Sequence, residues 1–159
     1  MRPSVTEQLA GLSRILAEVI APELENPYPR DILGGVCATL DAIAAGWTDV
    51  PAFLDWDART SIAVIEHVLA DGSSVLSEEL QAETRASLTQ LADPVDPFDI
   101  AALQQRHRAA RKTLERVIPA LGDIAELSPA RTELASHLKE RAARYPFKPV
   151  WRPAQTAPR

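Results

Sequence analysis

Apolar residues recur along this chain at intervals of three and four, the spacing that lines one face of a helix. Val5, Leu9, Leu12, Leu16 and Val19 follow Ser4 and Glu7 at capping-box spacing, which predicts a helix over 4–21 stopped by Pro22. Leu33, Val36, Leu40, Ile43 and Trp47 repeat the rhythm after Pro27 and Pro29, predicting a second helix over 29–46 with Gly46 as its C-cap. Asp49 and Pro51 open a third segment that turns Phe53, Leu54, Ile62, Ile65, Val68 and Leu69 inward as far as Gly72, with room for a break near Trp56 and Asp57.

A fourth helix starts at Ser74 or Ser77 and carries a thinner stripe, Leu76, Leu80, Thr84, Leu88 and Leu91, which ends before Pro94. Asp96, with Pro97 next and Asp99 three residues on, signals the start of a fifth, with Ile100, Leu103, His107, Ala110, Leu114, Val117 and Leu121 in strict order. Ser128-Pro129 opens the sixth, through Leu134 and Leu138 to about Arg144, after which Pro146, Pro149, Pro153 and Pro158 forbid continuation. No β-branched alternation bounded by glycine is present, and no repeat of 30 to 45 residues. The expectation is an all-α protein of about six helices in a mainly antiparallel bundle or orthogonal array. Residues 1–144 form one helical domain and residues 145–159 an extended, Pro-rich, aromatic tail.

Composition narrows the class. With 159 residues, 46 % of them hydrophobic and 25 % charged, the chain can enclose a core without staples. It has no apolar run of membrane-spanning length and no leader pattern at the N-terminus, which leads us to expect a cytoplasmic protein. The one cysteine, Cys37, cannot form an intrachain disulfide or a cysteine-rich zinc site, and Val36 and Leu40 beside it predict a buried, inert thiol.

Charge is divided along the chain. Residues 1–100 hold seventeen acidic residues against five arginines and no lysine, whereas residues 101–159 hold twelve basic residues against five acidic ones. One explanation is internal: basic helices five and six lie against acidic helices three and four, which bear Asp71, Glu78, Glu79 and Glu83. The other is external. A surface around Arg106, Arg108, Arg111 and Lys112 then docks an acidic protein partner, or the acidic face of a second copy. The overall charge of −5, the interspersed glutamates and the lack of a helix-turn-helix or similar motif argue against nucleic acid.

Few patterns carry chemistry. Glu66 and His67 are adjacent, and Glu133 precedes His137 by four, so the paired Glu-x-x-His of a di-iron bundle is absent. A looser mononuclear site of Asp41, His67, Asp71 and His137 can be drawn, but solvated ion pairs explain those residues equally well, and no metal or other cofactor is assigned. His107 holds a core position, so it needs a hydrogen-bond partner such as Asp41, Glu66 or Thr84. Were it to open onto a pocket with Asp41 and His67, it would be the best acid–base or ligand-contacting group in the chain. Gly34-Gly35 inside helix two costs roughly 0.8–1.0 kcal/mol per glycine, which predicts close approach of another helix or of the tail. The pair has neither the strand nor the lysine of a phosphate loop, and no Gly-x-Ser-x-Gly or His-Glu-x-x-His is present. In the tail, Phe147 and Trp151 are set among prolines that hold the backbone extended, ready to dock on the protein itself or on a neighbour.

Pro3-Ser4-Val5-Thr6-Glu7-Gln8-Leu9 and Val19-Ile20-Ala21-Pro22-Glu23-Leu24 resemble the start of a group of small all-helical bacterial proteins. These are often encoded beside aminoglycoside-phosphotransferase-like kinases and acyl-CoA dehydrogenases. Leu138-Lys139 through Arg144-Tyr145 fit the same group, whereas Leu33-Gly34-Gly35-Val36-Cys37 stands where its second helix usually carries an aromatic and basic stretch. The resemblance implies an all-helical fold and, as partner, a kinase-like or acyl-CoA-metabolising enzyme. Together the expectations describe a non-catalytic accessory or interaction domain, self-associating or partnering an enzyme. The competing class is a small-molecule-binding protein or enzyme with an inter-helix pocket near Asp41, His67 and His107.

Overall fold

The computed structural model describes residues 3–71, 76–119 and 129–147. Every regular element among them is helical: α1 Val5–Ile15, α2 Pro27–Gly46, α3 Val50–Asp71, α4 Glu78–Leu91, α5 Ile100–Val117 and α6 Pro129–Arg144. None is long and apolar enough to cross a membrane. Contacts divide the chain into two compact units, one running to Val50 and taking in the segment from Pro146, the other spanning Pro51–Tyr145.

The first unit is a helical hairpin. The predicted box is present at its start: Ser4 Oγ accepts from the Glu7 amide at 3.2 Å, and the Glu7 carboxylate accepts from the Ser4 amide at 2.7 Å. Hydrogen bonding of the Glu7 carboxylate to the Ser4 amide, and secondarily to the Ser4 side chain, holds that carboxyl below its ordinary value. The helix does not run unbroken to residue 21. After Ile15 it widens into a π-turn over Leu16–Ile20 and tightens into a 3₁₀ turn over Ala21–Glu23. Pro22 is the physical cause, since its ring displaces the carbonyl four residues back and it has no N–H to offer.

Asn26 then caps α2 through the Tyr28 amide at 3.0 Å, so this helix begins two residues before the expected 29, with Pro27 tolerated in its first turn. Ser13 and Cys37, each twelve residues from Glu25, meet where the Ser13 hydroxyl donates to the Cys37 carbonyl at 3.4 Å. That symmetry makes the two helices antiparallel. Cys37 is buried as expected, its Sγ 3.6 Å from the Ser13 carbonyl.

Gly46 is not the left-handed cap its position implies, for its φ is −98°. It is glycine for want of room. A Cβ there would meet the Pro146 carbonyl group, with its carbon at 2.8 Å and Phe147 Cδ1 at 3.2 Å. The start of the aromatic segment therefore packs on Gly46 and not on Gly34-Gly35, around which a Cβ would find open space. Trp151 lies outside the described residues.

The second unit is a four-helix bundle with up-down-up-down order. α3 runs without the break considered at Trp56-Asp57, since the flanking Phe53, Leu54, Ala58 and Ser61 all stay in one inward stripe. Ser77 caps α4 through the Leu80 amide at 3.2 Å. The fifth helix starts later than expected because Asp96 caps only a turn, through the Phe98 amide at 2.9 Å, while Asp99 caps α5 through the Ala102 amide at 2.9 Å. Asp71, at the end of α3, caps α6 across the bundle by accepting from the Ala130 amide at 3.1 Å.

Pairings fix the directions. Arg106 reaches the Leu91 carbonyl and Arg116 reaches Glu83, so α4 and α5 are antiparallel; Asp57–Arg141, Ser61–His137 and His67–Glu133 make α3 and α6 antiparallel. Val64, Ile65 and Val68 of α3 meet Leu114 and Val117 of α5, Ala130 of α6 and Leu76 in the main core, each larger side chain contributing about 1.5–3 kcal/mol by burial. A second cluster joins Ala58, Leu91 and Ala110.

The division of charge is partly consumed inside this unit. Basic α5 and α6 meet acidic α3 and α4 at Arg106–Asp55 (3.6 Å), Arg116–Glu83 (3.5 Å) and Arg141–Asp57 (3.0 Å). The exposed pairs among these are worth only about 0–1 kcal/mol each and set helix pairing more than stability.

Candidate functional site

The densest group of ionisable side chains lies inside the bundle, around Asp57. This carboxylate is fully buried, since it falls on the inward stripe of α3. Two other helices supply its partners. His107 Nε2 on α5 lies 2.6 Å from Oδ2, Arg141 Nε on α6 donates to the same oxygen at 3.0 Å, and His137 Nε2 on α6 lies 3.3 Å from Oδ1. Burial alone would raise the Asp57 carboxyl, but hydrogen bonding to His107 and Arg141, with the Arg141 charge, outweighs it and holds the group below its ordinary value. His137 moves the opposite way from a paired histidine. Burial pushes its imidazole down, and nearby Arg111 and Arg141 oppose the pull of Asp57, so the ring is neutral near pH 7.

Aromatic rings close around the cluster. Phe53 contacts Trp56, His107 and Tyr145 at centroid distances of 6.2, 6.2 and 5.7 Å, Trp56 lies 5.6 Å from His137, and Arg144 stacks over Trp56 at 4.5 Å. Ser61, His137 and Asp57 invite comparison with a nucleophilic triad, and the geometry rejects it. His137 Nε2 faces both Ser61 Oγ and Asp57 Oδ1 at 3.3 Å, whereas a triad uses opposite ring nitrogens, and all three side chains are closed to solvent. Among the described residues no three His, Cys, Asp or Glu side chains converge to hold a metal ion. The cluster is a polar anchor that ties α3 to α5 and α6, in which a removed partner would leave buried charge.

The residues singled out by sequence fall in several places. His107 is mostly buried, as a core position requires, but its partner is Asp57 and not Asp41, Glu66 or Thr84. His67 is exposed and paired with Glu133, which raises its imidazole above the ordinary value. Asp41 lies half-buried on α2, in the first unit, and the structure does not bring His67 and His107 together. Of the basic group, Arg106 is held by Asp55 and the Leu91 carbonyl, Arg108 bonds the Gln104 carbonyl of its own helix, and Arg111 faces Glu115 at 3.7 Å with a buried Nη1 that completes no hydrogen bond. Lys112 is exposed on α5.

Asp57 and Arg141 were not foreseen as a site, although a signal existed. Asp57 sits in phase with Leu54, Ser61, Ile65 and Val68, and a carboxylate on an inward stripe must find a cation.

A different feature dominates the hairpin. Of twelve large hydrophobic residues exposed in the described chain, eight fall between Val5 and Val36. Helical geometry places most of them together. At about 100° per residue, α1 turns Leu9, Ser13 and Leu16 toward α2, and presents Val5, Leu12 and Ile15, with Val19 beyond, in the adjoining sector. α2 turns Leu33, Cys37, Leu40 and Ala44 inward, with Ile32 and Val36 next in rotation. Because the helices run antiparallel, their rotations oppose, and both exposed sectors fall on the same side of the hairpin. Glu7, Arg14 and Glu18 lie around the far side of α1, and Arg30, Asp31 and Asp41 lie outside the apolar sector of α2.

The predicted stripes were thus too wide for the hairpin to cover: Val5, Leu12, Val19 and Val36 belong to them and remain exposed. The molecule is a helical hairpin and a four-helix bundle on one chain. No family model, curated protein or solved structure matches it.

Proposed function

We propose that this chain is a non-catalytic helical interaction protein that pairs with a second copy of itself through the outer face of the α1–α2 hairpin. The observation that carries the reading is a charge-free, largely apolar sector of Val5, Leu12, Ile15, Val19, Ile32 and Val36, interrupted by the uncharged Gln8 and Thr39 and extended around α2 by Tyr28. Its aliphatic members are 43–57 % exposed and Tyr28 is 72 % exposed. With roughly 150–200 Å² for a fully exposed side chain of this size, these fractions sum to about 600 Å², at the upper limit of the patches that ordinary monomers show. Two copies burying such a face approach the ~1,200 Å² at the lower end of stable interfaces before any polar rim is counted.

A second copy is favoured because the face carries no charge by which to select an unlike partner, and because two-fold pairing of hairpins completes four helices around one apolar seam. Gly35, on the edge of the sector, leaves bare backbone where a partner helix can come close. The alternative of a ligand pocket near Asp41, His67 and His107 gains nothing from the geometry, since His67 is exposed and paired with Glu133 and His107 is engaged by Asp57.

Light scattering on the full chain tests this. The wild type should show twice the 17.3 kDa chain mass at concentrations up to about 100 µM, and Leu12→Glu with Ile32→Glu should return it to one chain with unchanged far-ultraviolet helicity. A monomeric wild type, or a dimer indifferent to both substitutions, overturns the proposal.

A further inference from the structure

Helices α4 and α5 leave a groove of about 410 Å³ on the surface of the bundle, lined by residues of the second unit. We infer that it binds an extended peptide of about six residues, with acidic side chains toward one end and apolar ones toward the other. Length is the first argument. The α5 residues that line the groove run from Ala102 to Arg116, about 21 Å at 1.5 Å per residue, which an extended chain covers with about six residues.

Charge sets the direction. At the end near Asp93, Arg106 is already held by Asp55 and the Leu91 carbonyl, and Asp93 itself repels an anion. At the other end stand Lys112, which pairs with no carboxylate among the described residues, and Arg116. Arg116 faces Glu83 at 3.5 Å with both side chains about half exposed, so a carboxylate already rests there and a ligand carboxylate can take its place at little cost. At the Asp93 end, Leu91 and Val95 offer apolar contact, and the amides of Gln90 and Gln105 supply the paired donor and acceptor that a peptide backbone presents.

Nucleic acid fits less well. No aromatic side chain lines the groove to stack on bases, and Asp55, Glu83 and Asp93 stand beside its cations.

The probe is a fluorescein-labelled hexapeptide, Leu-Ala-Gln followed by three Glu, titrated with the full chain by fluorescence anisotropy at low and physiological salt. Binding is expected at micromolar affinity in low salt. Lys112→Glu or Arg116→Glu should weaken it at least tenfold, as should exchange of the three Glu for Gln. Lys139→Glu serves as the control, because Lys139 is exposed on α6 and does not line the groove. Equal loss with Lys139→Glu would show attraction to general basic charge and overturn the inference. So would equal binding of the Gln peptide, displacement by an oligothymidylate at lower concentration than by unlabelled peptide, or no binding at low salt.

Discussion

Asp57→Ala removes the carboxylate that His107 and Arg141 bond through Oδ2 and that His137 faces at 3.3 Å across Oδ1 in the bundle core. His107 and His137 lose the carboxylate they face, and Arg141, about one-third exposed, keeps only partial access to water. Breaking a buried pair from one side typically costs about 3–5 kcal/mol, and the partial exposure of Arg141 places this case near about 3. At ~0.05–0.15 kcal/mol per residue, a unit the size of Pro51–Tyr145 holds roughly 5–14 kcal/mol in all, so the variant forfeits a large part of it. Urea unfolding followed by circular dichroism reads the effect. With a slope of roughly 1 kcal/mol/M, the bundle transition should move by about 3 M, and its midpoint temperature should fall by more than about 10 °C. Asp55→Ala is the matched control: Asp55 is also acidic and on α3, but it is part-exposed and pairs with Arg59 and Arg106, so its loss should cost under about 1 kcal/mol. Equal small shifts for Asp55→Ala and Asp57→Ala would refute the reading of this cluster as the anchor of the bundle.

Acid should weaken the bundle in two stages. His137 is depressed by burial, so the unfolded chain binds its proton first: the stability from keeping the ring neutral is complete above its ordinary 6.5 and is lost as pH falls below it. Asp57, also depressed, contributes above its ordinary 3.8 and loses that contribution on further acidification. His67 has the opposite sign, its small contribution through Glu133 being present at low pH and lost as pH rises through its raised value. Chemical denaturation at a series of pH values should therefore show stability rising between pH 5 and 7, and His137→Asn should flatten that rise; a wild-type profile flat over this range would contradict the burial argument. The glycines separate by environment. Gly34→Ala meets open space and should stabilise α2 by roughly 0.8–1.0 kcal/mol, whereas Gly46→Ala collides with the Pro146 carbonyl and should destabilise the hairpin by about 1–3 kcal/mol. Gly35→Ala should raise the stability of the single chain yet weaken self-association, two effects that thermal unfolding and light scattering report separately.

The period of three and four, read with Ser4, Ser77 and the prolines, determined the helical class and the approximate place of each helix, because caps and breakers act within a turn or two of themselves. A local signal misled at Asp96-Pro97, which satisfies the rules for a helix start yet caps only a turn, through the Phe98 amide, while α5 is capped by Asp99 through the Ala102 amide. The same limit applied to Gly46, whose C-cap position suited a left-handed turn but whose role is to admit Pro146 from a hundred residues away.

Periodicity shows that a helix has an apolar face, and not how much of that face a neighbour covers. The stripe through Val5, Leu12 and Val19 reads the same whether it ends in a core or on a surface, and only the antiparallel packing of α1 on α2 left it exposed. His107 could be given a core position and a need for a partner from its phase in α5, yet Asp57 lies fifty residues before it and Arg141 thirty-four after. A carboxylate on α3 can bond His107 and Arg141 together only when their separate helices are brought within hydrogen-bonding distance, and that convergence is a property of bundle topology.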